Sequence, residues 1–476
     1  MTRTPRLILA GLSGGSGKTI ISLGLVRALS KQGIRIAPFK KGPDYIDAAW
    51  LSLAAGHPAT NLDAFLMDAK TMVRLFAERA HGVDLAFVEG NRGLFDGGDV
   101  RGSFSTSRLA RDLAAPVILV LDATKMTRTV AAIVQGCAGF EPDVTIAGVI
   151  VNRTASERHR RIVREAIERY TDVPVLGTLP KLKENPIPER HMGLISNREY
   201  SGQEEILSGL AKVTTENCDL DKLLGIARKA GPLAVPDVDI WPAPVTQARP
   251  RIGYVLDGAL WFYYQENLEV LRRAGAELVE VNLLDGRPWP ALHGLYLGGG
   301  FPETQAGALA ENTAAKTRVL RLSRAGAPIY AECGGFMYLC EELRVSDAVY
   351  PMAGVFPLAT VLYERPQGLG YAEASVVGEN IFHPLGASLK GHEFHYSRCL
   401  AQSRFTGHGV KPRLALRMTR GTGMLDAMDG ALVDNTFAAY MHIHALGAPA
   451  WAQNFVRRAA AFAKTATSAS LETFTS

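Results

Sequence analysis

The first half of the chain alternates short, wholly apolar runs with longer amphipathic stretches. Arg6–Ala10, Ile34–Pro38, Leu85–Glu89, Pro116–Leu121 and Thr145–Val151 have the length and composition of buried strands. Between the first two, Thr19–Lys31 repeats apolar residues at Ile21, Leu25 and Leu29, with Gly33 following at a capping position, which predicts a helix. Strand–helix alternation of this kind implies a parallel sheet covered on both faces. The pattern weakens around 211–247, where GPLAVPDVDIWPAPVTQARP is dense in proline and has no helical period. A second alternating unit begins with RIGYVLD at Arg251, with a helix expected near Tyr264–Ala274 and strands at Leu278–Val281, Gly294–Leu297 and Pro328–Ala331. The expected organisation is therefore α/β in two domains: a P-loop doubly wound, mostly parallel sheet over 1–215, a linker over 216–248, a second α/β domain over 249–460, and a frayed tail over 461–476.

Between the first strand and first helix lies Gly11-Leu12-Ser13-Gly14-Gly15-Ser16-Gly17-Lys18-Thr19. Glycines let successive backbone N–H groups converge on phosphate oxygens, and the helix N-terminus adds a favourable field. Gly14, Gly15, Ser16, Gly17, Lys18 and Thr19 are the expected ATP-binding residues, Lys18 meeting the β- and γ-phosphates and Thr19 ligating Mg²⁺. Leu12 occupies the usual first glycine; Gly11 stands one place earlier, as in loops resembling that of dethiobiotin synthetase. Glu89 closes an apolar strand where a metal-binding carboxylate belongs. The second strand ends in Lys40, Lys41, Asp44 and Asp47, and strand C-termini line the ligand crevice of open α/β sheets.

In the second unit, Ile329–Met337 reads as a strand turning sharply into a helix at Cys333, flanked two positions away by the small residues Ala331 and Gly335. That is what a nucleophile elbow requires for clearance. Upstream, LYLGGGFPE runs a strand into three glycines, so Gly299 and Gly300, with Gly334 beside the cysteine, are the expected oxyanion and glutamine contacts. The base is expected from YMHIH, with His442 ahead of His444. Triad glutaminases with an H-x-E pattern carry an orienting carboxylate two residues after the histidine, where this chain has His444. The third member is left as His444, a distant carboxylate, or none. His392, Glu393 and His395 are expected to hydrogen-bond with substrate or core rather than hold a metal, and Cys340 to belong to the core.

Composition narrows the setting without changing the chemistry. Hydrophobic residues make up 47% and charged residues 21%, and a net charge of +5 is too mild to argue for nucleic acid. The five cysteines are scattered without a C-x-x-C pair, against a disulfide framework or structural zinc. With no signal-peptide pattern and no apolar run of membrane-spanning length, the expected setting is the cytoplasm, without membrane or nucleic-acid partners.

Taken together, PFKKGPDYID, NLDAF, VEGNRGLFDG, LYLGGGFPE, AECGGFMYL, GHEFHYS and YMHIH resemble the cobyrinic acid a,c-diamide synthase family over nearly the whole chain. That family is similar to dethiobiotin synthetase in its first half and to class I glutamine amidotransferases in its second. The resemblance implies a glutamine-hydrolysing carbon–nitrogen ligase of cobalamin biosynthesis. Its partners would be ATP, glutamine and a tetrapyrrole polycarboxylate amidated at the a and c acetates through acyl phosphates. It further implies Lys40 for phosphoryl-transfer charge, Asp47 and Glu89 with Thr19 for Mg²⁺, Asp44 near the reacting carboxylate, Asn152 at the adenine, and a homodimer as one assembly. The basic residues Lys40, Lys41 and Arg92 suit a polycarboxylate. Nickel-sirohydrochlorin is the alternative acceptor, which DATKMTRT does not separate; cobyric acid synthase fits the strings less well. A non-amidating P-loop scaffold and a plain glutaminase are the readings from other classes; neither accounts for both an intact elbow cysteine and Gly17-Lys18-Thr19.

Overall fold

The computed structural model describes residues 1–182, 186–187, 189–190, 193–194, 202–401 and 413–465. The chain divides into two compact units, Met1–Val238 and Asp239–Ser476.

In the first unit, β1 (Arg6–Gly11), α1 (Lys18–Lys31), β2 (Ile36–Lys41), α2 (Tyr45–Ala55), β3 (Thr60–Leu62), α3 (Ala69–Arg79), β4 (Leu85–Gly93), α4 (Thr106–Asp112), β5 (Val117–Asp122), α5 (Thr129–Phe140), β6 (Ile146–Thr154), α6 (Glu157–Tyr170) and β7 (Val175–Pro180) follow one another. The strands form one sheet in the order β3-β2-β4-β1-β5-β6-β7, and every pairing is parallel. β1 is buried at all six positions, which is why it reads as an unbroken apolar run rather than an alternating one. Helix α1 packs closely on the helix Gln203–Asn217: a Cβ on Gly24 would lie 2.5 Å from Thr214 Cγ2 and 2.8 Å from the Leu210 carbonyl. The span 216–248 is not irregular throughout, because it contains the helix Leu220–Arg228, capped by Asp219.

The second unit is built on a ten-stranded sheet. Five strands, Glu277–Val281, Arg251–Val255, Gly294–Leu297, Ile329–Glu332 and Thr436–Ala439, lie parallel in that order. Met428–Val433, Arg413–Arg420, Gly368–Val376, Ser388–His395 and His442–Ile443 continue the sheet antiparallel. Only Tyr440 and Met441 separate the strand Thr436–Ala439 from His442–Ile443 at the sheet's far edge. Two residues reach about 10 Å at most, whereas four intervening strands in a flat sheet would set them about 24 Å apart. The sheet therefore curls back on itself. Cys340–Val345 belongs to a separate four-stranded sheet. Of the expected tail, 461–465 complete the helix Ala450–Thr465, and 466–476 lie outside the described residues.

Arg6, at the start of the central strand, is fully buried. It donates to the carbonyls of Leu113 at 2.6 Å, Ala114 at 3.0 Å, Thr4 at 3.1 Å and Gly231, closing the base of the first unit. Removing the guanidinium strands those acceptors. Arg6→Met is expected to cost about 3 kcal/mol and to lower the thermal midpoint of the first unit by roughly 6–12 °C, read by calorimetry.

Candidate functional site

The first unit gathers charge at the C-terminal end of β2 and midway along β4, which runs on to Gly93 rather than closing at Glu89. Lys40 and Glu89 are direct neighbours in the parallel register of β2 and β4, and Glu89 faces Leu9 of β1 on its other side. Glu89 is completely buried. Its Oε1 accepts from Lys40 Nζ at 2.6 Å and from Thr19 Oγ1 at 2.9 Å. Asp47, in the first turn of α2, brings Oδ2 to 2.5 Å from Lys40 Nζ and 3.3 Å from Thr19 Oγ1. Asp44 caps the same helix through the Asp47 amide at 2.9 Å. Thus Thr19, Lys40, Asp44, Asp47 and Glu89, from four separate segments, meet as one cluster. Burial opposes the charge on Lys40, but the carboxylates of Asp47, Glu89 and Asp44 outweigh it and hold the ammonium above the usual lysine range. Burial, and then the charge of Asp47, raise the Asp44 carboxyl above the usual carboxylate range.

The glycine-rich loop leads directly into Thr19 of this cluster. Gly15 and Gly17 take left-handed conformations, with φ of 74° and 88°, and Gly17 caps α1 without a side-chain bond. Lys18 Nζ folds back to the Ser13 carbonyl at 2.8 Å. Nothing lies within 4 Å of a Cβ placed on Gly14 or Gly15, so this stretch has open space beside its backbone. Asn152, at the end of β6, donates to the Ser16 carbonyl at 3.1 Å and fills the space a side chain on Gly17 would need.

In the second unit Cys333 has φ 46° and ψ −102°, between the strand Ile329–Glu332 and the helix Gly334–Leu339. Such a backbone is strained for a residue with a side chain, as at a nucleophile elbow. It leaves no room beside it: a Cβ on Gly335 would lie 2.5 Å from the Leu297 carbonyl. A Cβ on Gly334 would lie 3.0 Å from the Gly300 nitrogen, and one on Gly299 would lie 2.3 Å from His442 Cε1. Cys333, Gly334, Gly299, Gly300 and His442 are thereby brought into one neighbourhood. Burial, followed by the charge of Glu303, holds the Cys333 thiol above the usual cysteine range, while a bond from the Gly334 N–H acts the other way.

The two histidines of the YMHIH string have different surroundings. His442 Nδ1 lies 3.5 Å from Glu332 Oε2, and its ring stacks on His392 at 4.9 Å between centroids. His444 Nε2 instead lies 3.6 Å from Glu266 Oε2, and its Nδ1 accepts from the Leu446 amide at 3.3 Å. Asp429 accepts from the amides of Tyr440 at 3.1 Å and Met441 at 3.0 Å, fixing the turn that delivers His442. Glu393 accepts from the amides of Thr422 and Gly423, both at 2.7 Å. Sequence reading passed over Glu332, Glu266 and Asp429. Glu332 carried one signal, a carboxylate at the end of an otherwise apolar strand, beside the expected nucleophile.

Residues 7–195 match the CobQ/CobB/MinD/ParA nucleotide binding domain, and residues 251–450 match the CobB/CobQ-like glutamine amidotransferase domain. Fold and matches define a nucleotide-binding unit joined to a glutamine amidotransferase unit. Three curated relatives, each named cobyrinate a,c-diamide synthase, align over nearly their full length. That of Magnetococcus marinus is 43% identical, covering 96% of this chain and 97% of the relative. The Archaeoglobus fulgidus protein is 40% identical over 96% and 97%, and a Listeria monocytogenes protein 40% over 92% and 96%. The chain belongs to the cobyrinate a,c-diamide synthase family. Among the described residues, no helix is long and apolar enough to cross a membrane.

Close contact between Gly299 and the His442 ring gives a direct test of this neighbourhood. Gly299→Ala must displace the imidazole, since the new methyl would overlap Cε1. Glutamine hydrolysis is expected to fall by about 10²-fold, as for a misplacement of roughly 1 Å, with the thermal midpoint little changed; a steady-state glutaminase assay with calorimetry checks both.

Proposed function

We propose that this chain uses ATP and glutamine to convert the a and c acetate carboxylates of cobyrinic acid into amides. The observation that carries the reading is the pairing, in one chain, of a phosphate loop over a Lys40–Asp47–Glu89–Thr19 cluster with an elbow cysteine beside a histidine. Neither half accounts for the other unless ammonia made by one is consumed by the other. Full-length similarity to proteins named cobyrinate a,c-diamide synthase supports cobyrinic acid as the acceptor.

At the elbow, the Cys333 thiol gives its proton to His442 and its sulfur adds to the amide carbon of glutamine. The N–H groups of Gly300 and Gly334 stabilise the oxyanion. Collapse breaks the C–N bond, the proton passes to the departing nitrogen, and ammonia leaves. Water then hydrolyses the thioester to glutamate. In the first unit, the Gly14–Thr19 backbone binds the ATP phosphates, Lys18 and Lys40 balance charge on the transferred phosphoryl group, and Asn152 meets the adenine. A substrate carboxylate near Asp44 attacks the γ-phosphorus and becomes an acyl phosphate, with ADP leaving. Ammonia displaces phosphate to give the amide. Activation is required because a carboxylate otherwise has no usable leaving group. Lys41 and Arg92, beside this cluster in sequence, suit the remaining carboxylates of such a ring.

The residues also fit a magnesium ion. Among the described residues Glu89 Oε2 is buried without a hydrogen-bond partner, and Thr19 Oγ1 reaches both carboxylates. Oxygen donors with one or two carboxylates suit Mg²⁺, which completes its shell with water and substrate phosphates. Bound there by Thr19, Asp47 and Glu89, it would neutralise phosphate charge.

The test is to incubate the protein with ATP, glutamine and either cobyrinic acid or nickel-sirohydrochlorin, and to weigh the products. Two losses of about one mass unit from cobyrinic acid are expected, because each carboxyl hydroxyl becomes an amine. Product from the nickel ring alone would overturn the acceptor, and ATP turnover indifferent to any carboxylate substrate would overturn the amidation. His442→Ala is expected to abolish glutamine-driven amidation and to leave ammonia-driven amidation intact.

A further inference from the structure

The usual orienting carboxylate two residues after the histidine is absent here, its place being taken by His444. His444 cannot substitute for it. Its two ring nitrogens are turned to Glu266 and the Leu446 amide, and its ring packs on Tyr264 at 4.7 Å. His392 meets His442 face to face, within 15° of parallel, and directs Nδ1 to the Tyr264 hydroxyl at 3.3 Å. A stacked ring presents no in-plane acceptor to its neighbour.

Glu332 is differently placed. Its side chain is 1% exposed, and Oε2 lies 3.5 Å from His442 Nδ1. The same oxygen accepts from the Tyr296 hydroxyl at 3.1 Å, and Oε1 accepts from the Ile443 amide at 3.2 Å. These two donors pin the carboxylate from both sides. The opposite edge of the imidazole faces the glycine loop: a Cβ on Gly299 would lie 2.3 Å from Cε1 and 3.2 Å from Nε2. The ring is thus set with Nδ1 toward the buried Glu332 carboxyl group and Nε2 toward the loop beside the elbow. A base that must take a proton at Nε2 needs its proton at Nδ1, and a carboxylate there holds that tautomer and stabilises the imidazolium that forms.

We propose that Glu332, the residue immediately before the nucleophile, is the positioning carboxylate of the glutaminase site, acting through His442. The inference rests on the reading of Cys333 and His442 as nucleophile and base. Nucleophile and orienting group then come from consecutive residues. They point to different sides because the strand ends in extended geometry and the elbow reverses the next residue.

Glu332→Gln tests it, since glutamine keeps the length and the acceptor for Ile443 but removes the charge. The glutamine-dependent kcat is expected to fall about 10²–10⁴-fold, with the KM for glutamine within about 2-fold. Ammonia-driven amidation should persist. Site-specific alkylation of Cys333 by iodoacetamide, followed by mass spectrometry, should slow about 10-fold because the thiolate loses its stabilised partner. Glu332→Asp, which restores the charge one methylene further away, should recover part of the kcat. A wild-type glutamine-dependent kcat in Glu332→Gln, with Cys333→Ala and His442→Ala inactive toward glutamine, overturns the role of Glu332 and leaves the pair standing. Equal loss of glutamine- and ammonia-driven activity in Glu332→Gln also overturns it, marking a structural residue. Glutamine-driven activity surviving in Cys333→Ala overturns the underlying reading itself.

Discussion

A carboxylate withdrawn from water must find cations or donors, and both units meet that requirement at the C-terminal edge of a parallel sheet. In the first, Glu89 stands fully buried midway along a central strand and is answered by Lys40 and Thr19. In the second, Glu332 ends a central strand buried and is answered by Tyr296, the Ile443 amide and His442. Each partner arrives from another segment, so satisfying the charge fixes where those segments end. The groups that settle the buried charge are the ones proposed to react.

Parallel topology explains why this happens twice. All strands of such a sheet run one way, so their last residues and the loops beyond them share an edge. A short offset in sequence thereby becomes adjacency in space: Lys40 and Glu89 are separated by 49 residues yet are register neighbours. Glycines permit the remaining approach. Gly17 yields to Asn152 and Gly299 yields to His442, and in each case a methyl group would occupy the partner's position.

The parallel portions of the fold were legible in the sequence because buried strands there are unbroken apolar runs bounded by glycine or charge. β1, the glycine loop and α1 stand within a residue or so of where the pattern put them. The elbow was legible too, since a cysteine between small residues after a strand is a local signal. The antiparallel continuation between 368 and 443 was not. Several of its strands mix buried and exposed positions; Gly368–Val376, for example, does so with five small residues among its nine. Helix Leu220–Arg228 was hidden by the proline-dense stretch that follows it. Two of the residues that were missed, Glu332 and Glu266, share one property. Glu332 and His442 lie 110 positions apart, and Glu266 and His444 lie 178 apart, so only the closed sheet brings them together.

The curl of the second sheet gives His442 an unusual dependence. Among the described residues, its two-residue strand pairs only with Ser388–His395, at the edge of the sheet remote in strand order from the elbow, while the preceding strand pairs directly beside the elbow. His442 is therefore held by both ends of one sheet at once, like the clasp of a bracelet. Cys333 takes its elbow where one strand meets one helix, whereas the place of His442 depends on each of the four strands lying between the two edges of that curl.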